Sequence, residues 1–151
     1  MSDVATIAPV RKSVTVACSP ERAWQVFAEE PGTWWRLSTH SVHHEKAKEL
    51  VLEPREGGEM YEIAEGGERA HWARVTVWDP PKRLVLAWHV NPEAAADTEI
   101  EVIFTPEGEG TRVDLEHRGW ELLGLEGQDR RDQYEGGWEP LLQLYAGKAS
   151  A

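Results

Sequence analysis

The residues of this chain that can do chemistry are six histidines, a few paired carboxylates and an unusual stock of eight tryptophans. His117 continues an apolar stripe, following Val113 and Leu115 at alternate positions while Arg112, Asp114 and Glu116 take the other face. A buried imidazole must satisfy two ring nitrogens. His117 is therefore either tied to a neighbouring backbone group or placed beside a cavity, where it could meet a ligand or carry a proton. His40, His43 and His44 form an H-x2-H-H cluster. Zinc needs three or four convergent ligands, but a strand would send His43 and His44 to opposite faces, and the lone Cys18 is distant. The cluster is expected to be a solvated loop, with no metal and no other cofactor. Glu99/Glu101 and Glu107/Glu109 resemble catalytic pairs only on paper. The first pair lies on the wet face of a strand, and the second flanks a glycine turn. There is no nucleophile elbow, phosphate-binding glycine loop, dinucleotide fingerprint or H-E-x-x-H motif. No residue is assigned a catalytic role, and the balance favours a binder over an enzyme.

Tryptophan outnumbers the three tyrosines and two phenylalanines together. Such rings fill cores, and they also line pockets. The candidate ligand-binding residues begin with an inward stripe: Trp72, Trp88, Phe104, Leu115 and His117 from strands. Tyr134, Trp138, Leu141 and Tyr145 follow from the last helix. Trp34 and Trp35 can close one end, and Trp120 stands beside His117.

Elements must hold these residues in place. "RKSVTVACS" alternates as a strand, and "SPERAWQVFAEEPG" opens a helix with Ser19 as cap and Pro20 in its first turn. From Lys46 onward, "KELVLEP", "EMYEIA", "RAHWARVTVW", "RLVLAWHV", "TEIEVIFTP" and "TRVDLEH" alternate between turn signals, an antiparallel meander with one dry face. "NPEAAAD" is expected to be a loop. The last helix places Tyr134, Trp138, Leu141 and Tyr145 on one face, yet contains Gly136, Gly137 and Pro140. These poor helix formers predict a kink or break there, opening a space against the sheet. A kink that serves packing alone, with a filled interior, fits the same residues.

At 151 residues the chain suits one domain, residues 11–151 after a flexible leader of residues 1–10. A formal net charge of −11 opposes binding to nucleic acid or to anionic membranes. A single cysteine and no secretory pattern at the start fit a cytoplasmic protein.

Five segments in order, "SPERAWQVF", "EPREGGEM", "WDPPKRLVLAW", "LEHRGWELLG" and "GGWEPLLQLYAG", resemble the helix-grip fold of the START and Bet v 1-like (SRPBCC) superfamily. More narrowly, the chain is similar to single-domain proteins named for the activator of the heat-shock protein 90 ATPase. The resemblance implies an α+β fold in which a curved antiparallel sheet of six or seven strands wraps a long C-terminal helix around an internal cavity. It also implies three competing roles: a binder of a small hydrophobic or aromatic ligand, a co-chaperone-like module in the stress response, and a polyketide cyclase or dehydratase. In the last, His117 would carry protons and Tyr134 or Tyr145 would donate a hydrogen bond. Free sheet edges leave room for a homodimer.

Overall fold

The alternating segments all join one sheet. The computed structural model describes residues 6–90 and 96–151, so the start of the expected leader and most of the "NPEAAAD" loop lie outside the described residues. The strands are β1 (Val10–Val16), β2 (Ala47–Leu52), β3 (Glu59–Ala64), β4 (Arg69–Asp79), β5 (Arg83–Trp88), β6 (Thr98–Glu107) and β7 (Gly110–Arg118). They pair antiparallel in the order β1-β7-β6-β5-β4-β3-β2, a curled half-barrel. This is the expected α+β helix-grip fold. β1 starts within the expected leader, at the buried Val10, which pairs with His117. Just before it, the carbonyls of Ala8 and Pro9 accept from Arg131.

The dry face follows the alternation. Leu84, Leu86 and Trp88 of β5, Ile100, Val102 and Phe104 of β6, and Val113, Leu115 and His117 of β7 are all buried. On the opposite face Arg118 donates to Glu99, Glu101 and Glu116, so the first carboxylate pair belongs to a surface ion-pair network.

Helix α1 (Pro20–Trp24) begins as its sequence directs, with the Ser19 hydroxyl accepting from the Arg22 N–H at 3.2 Å. It continues into a π-helical turn, Gln25–Glu29, which buries Val26, Phe27 and Ala28.

The C-terminal helix α2 (Gly127–Ala149) departs from expectation. It runs as one α-helix through Gly136, Gly137 and Pro140, with no break. A Cβ at Gly136 or Gly137 would meet nothing within 4 Å, so neither glycine is there for close backbone approach. An interior proline costs about 3 kcal/mol. Burial of Trp138, Leu141, Leu142 and Tyr145 offsets it, at about 1.5–3 kcal/mol for each fully buried apolar side chain. Lys12 of β1 adds ion pairs to Glu135 and Glu139 at 3.2 and 3.1 Å. The real discontinuity comes earlier, at Gly124 (φ 69°, ψ −136°), where the 3₁₀ segment Trp120–Glu126 turns into α2. There Gly127 packs so closely under the Trp120 carbonyl that no side chain fits.

Candidate functional site

A cavity of about 440 Å³ opens between the sheet and the first half of α2. β4 contributes Trp72 and β5 contributes Trp88. From α2 come Tyr134, Gly137, Trp138 and Leu141. Trp35 and the loop residues Thr39, His40, Ser41 and His44 close the third side. The hollow therefore exists without a broken helix. It arises because the sheet curls away from α2 and a loop is held across the gap.

Glu62 holds that loop. It is fully buried on β3, and its carboxylate accepts from the Val42 N–H (2.7 Å), the His43 N–H (2.9 Å), His43 Nδ1 (2.9 Å) and Trp72 Nε1 (2.7 Å). Burial alone would raise its pKa. The backbone and side-chain hydrogen bonds outweigh that and keep it below the ordinary carboxylate range. An ionised, fully satisfied Glu62 thus fixes the loop and one cavity tryptophan together.

The other indoles are anchored in the same manner. Trp35 Nε1 donates to the His40 carbonyl at 2.7 Å, Trp88 Nε1 to the Tyr134 hydroxyl at 2.9 Å, and Trp138 Nε1 to His117 Nδ1 at 3.1 Å. Ring centroids lie 5.1 Å apart for Trp35–Trp72, 5.6 Å for Trp35–Trp138 and 5.7 Å for Trp72–Trp88. With each N–H spent on the protein, the rings present hydrocarbon to the cavity in fixed orientations.

His117 stands behind this wall, fully buried. An indole N–H only donates, so Nδ1 must be the acceptor. The ring proton then sits on Nε2, 2.8 Å from the Thr98 hydroxyl. Burial lowers its pKa to about 3. A neutral imidazole with both nitrogens engaged positions Trp138, and it has no free nitrogen to offer a ligand.

The candidate ligand residues therefore divide. Trp35, Trp72, Trp88, Tyr134, Trp138 and Leu141 meet around the cavity. Trp120 borders a recess of about 50 Å³ that shares Trp88, Arg130 and Tyr134 with it, and its N–H donates to the His117 carbonyl. Trp34, Phe104, Leu115 and Tyr145 lie in the filled core, with Trp34 Nε1 on the Val26 carbonyl and the Tyr145 hydroxyl on the Ala23 carbonyl. Of the histidine cluster, His40 and His44 line the cavity rim while His43 binds Glu62. Among the described residues no group of three His, Cys, Asp or Glu side chains could hold a metal.

Sequence reasoning passed over Glu62, Arg130 and Gln133, and singled out Gly137 only as a helix breaker. A signal existed for two of them. Glu62 alternates with the buried Met60 and Ala64, which puts a carboxylate on the dry face of β3, and Arg130 is one helical turn before Tyr134.

The fold recurs among solved structures. An anthrahydroquino-gamma-pyrone synthase, Txn09, complexed with SUM, is 36% identical, with a TM-score of 0.63 over 94% of this chain and 97% of that one. CalC from Micromonospora echinospora, a self-sacrificing resistance protein, is 29% identical with a TM-score of 0.70 over 94% of each chain. The Aha1 dimer from Colwellia psychrerythraea, at 17% identity and a TM-score of 0.70, covers 95% of this chain and 97% of its own. No curated protein matches the chain in sequence. The family model described as activator of Hsp90 ATPase homolog 1-like protein matches residues 17–144, most of the chain, and the chain belongs to that family.

Proposed function

We propose that the chain binds a small hydrophobic, flat aromatic molecule in the cavity between sheet and C-terminal helix. One observation carries this reading: a hollow of about 440 Å³ walled by four indole rings, each locked by its own N–H bond. A pocket of fixed aromatic faces gains from apolar burial, about 25 cal/mol per Å², with little ordering cost on the protein side. The test is tryptophan fluorescence titration and native mass spectrometry against a panel of planar aromatics. Saturable quenching with one bound molecule per chain is expected. A panel without a single saturable binder would end the proposal.

A second reading is cyclase-type chemistry on such a ligand, favoured by the 36% identity to a pyrone synthase. His117 is sealed, so Tyr134 is the group left to assist, by hydrogen-bonding a carbonyl oxygen as charge builds on it. Turnover of hydroxylated polycyclic ketones, followed by mass spectrometry in wild type and Tyr134→Phe, separates this from binding alone. The co-chaperone role carried by the family name is tested by adding the chain to heat-shock protein 90 and measuring ATP hydrolysis. An unchanged rate at high concentration would remove it.

A further inference from the structure

The chain carries 27 acidic residues and a net charge of −11, yet among the described residues no Asp or Glu lines the main cavity, and Glu126 borders only the adjoining recess. The one fixed cation among those lining residues is Arg130. The neighbouring Arg131 is fully employed, donating to the carbonyls of Ala8 and Pro9 and pairing with Asp132 and Glu135. Arg130, half-buried, makes no ion pair or side-chain hydrogen bond among the described residues. Tyr134 follows four residues later on the same face of α2 and lines the same cavity.

The tyrosine is set up as a donor. Its oxygen already accepts the Trp88 N–H, and no described residue takes its own hydrogen. Burial raises the phenol pKa, against smaller opposing effects from that hydrogen bond and from the Arg130 charge. The phenol thus stays protonated at neutral pH, and accepting one hydrogen bond strengthens the one it can give. The cavity's indole N–H groups are all consumed, so polar recognition falls to the helix.

We infer that Arg130 and Tyr134 form a two-point clamp for an acidic oxygen, so that the cavity selects aromatic anions (carboxylates, sulfonates or phenolates) over neutral aromatics. This rests on the binding function proposed above. It runs against the overall field of the protein, which repels anions, so a preference for them must come from local groups.

Two fluorescent probes separate the questions. 1-Anilinonaphthalene-8-sulfonate and N-phenyl-1-naphthylamine share a ring system and differ by the sulfonate. The sulfonate should bind on the order of tenfold more tightly, the size of one charge-assisted hydrogen bond. Arg130→Gln should remove that advantage while changing the neutral probe's affinity less than about twofold. Tyr134→Phe should cost the sulfonate roughly three- to tenfold by the same reasoning. Raising the salt concentration on wild-type protein should weaken the sulfonate and leave the neutral probe unchanged, a readout that needs no variant to fold. Equal affinities, or equal losses for both probes in Arg130→Gln, would overturn the clamp and leave the cavity standing. If neither probe binds saturably, clamp and cavity reading fall together.

Discussion

The space between sheet and α2 has two ends, both aromatic, and only one is full. At the far end Phe27, Phe104, Trp34 and Tyr145 meet in tilted and edge-on pairs, with Phe27–Tyr145 centroids 5.1 Å apart and Trp34–Tyr145 5.3 Å. Between this cluster and the near end lies a void of about 10 Å³, lined by Phe27 and Trp34 on one side and by Trp35, Trp88 and Trp138 on the other, too small for a guest. At the near end Trp35, Trp72, Trp88 and Trp138 keep similar spacings, yet the cavity remains. Ring content does not separate the two ends; the polar anchors do. The full end ties its polar atoms to the π-turn and α1, through the Val26 and Ala23 carbonyls, which draws these segments down onto the rings. The hollow end ties its N–H groups to four separate elements: Glu62 on β3, Tyr134 on α2, His117 on β7 and the His40 carbonyl in the loop. Its rings are held apart as a frame.

That contrast can be broken most forcefully at the full end. Phe104→Ala should cost about 3–5 kcal/mol in urea denaturation, the range for truncating a buried phenylalanine. The folded fraction should still bind an aromatic probe with little change. Next comes the frame itself. Glu62→Ala leaves the Val42 and His43 N–H groups and the Trp72 indole without their acceptor, at about 3 kcal/mol for a disrupted buried network. Here hydrogen exchange should rise over residues 37–46 and probe binding should be lost. Unchanged exchange in that loop would show that something other than Glu62 holds it.

The fold was legible because β1, β3, β6 and β7 keep period two, although β4 and β5 break it and the β2–β3, β3–β4 and β4–β5 ladders shift register, and because a one-faced sheet demands a helical cover. The apolar spacing of α2 marks its place, but its residue propensities do not predict its continuity. Local propensity disfavours Gly136, Gly137 and Pro140, but tertiary burial from Trp138 to Ala149 overrides it. The cavity was harder to read. Trp88 and Phe104 carry the same alternation signal, yet one borders a hollow and the other fills a core. The difference depends on anchors such as Glu62 to His43, nineteen residues apart, which no local pattern encodes. His117 is buried on a dry stripe, as the alternation of β7 predicts. Its partners settle the outcome in favour of positioning.

A smaller effect follows from His117 and has a definite sign. Its folded-state pKa is lowered to about 3 from an ordinary 6.5, so the unfolded chain binds the extra proton first as pH falls. Stability should be level above about pH 6.5 and decline below it, by at most about 1.4 kcal/mol per pH unit from this residue. His40 and His71, also lowered by burial, add to the same slope, while the stability that Glu62 provides is intact at these pH values and is lost only as pH falls through the ordinary carboxylate range and below. Denaturation of wild type and His117→Gln between pH 7.5 and 5 isolates the residue. The variant should start less stable and lose less on acidification.

The smallest expected change in stability tests the hollow most directly. Gly137 lines the cavity and Gly136 is exposed on the same helix, and an added Cβ meets nothing within 4 Å at either position. Replacing either with Leu should leave stability unchanged or raise it by up to ~1 kcal/mol, the helix-propensity gain over glycine. The two variants should part company in binding. A side chain at 137 occupies guest space and should weaken planar aromatics at least about tenfold, while one at 136 projects elsewhere and should weaken them by less than about twofold. Equal affinities in Gly136→Leu and Gly137→Leu would mean that guests do not enter between α2 and the indole frame. The two ends of the interior would then differ in packing alone.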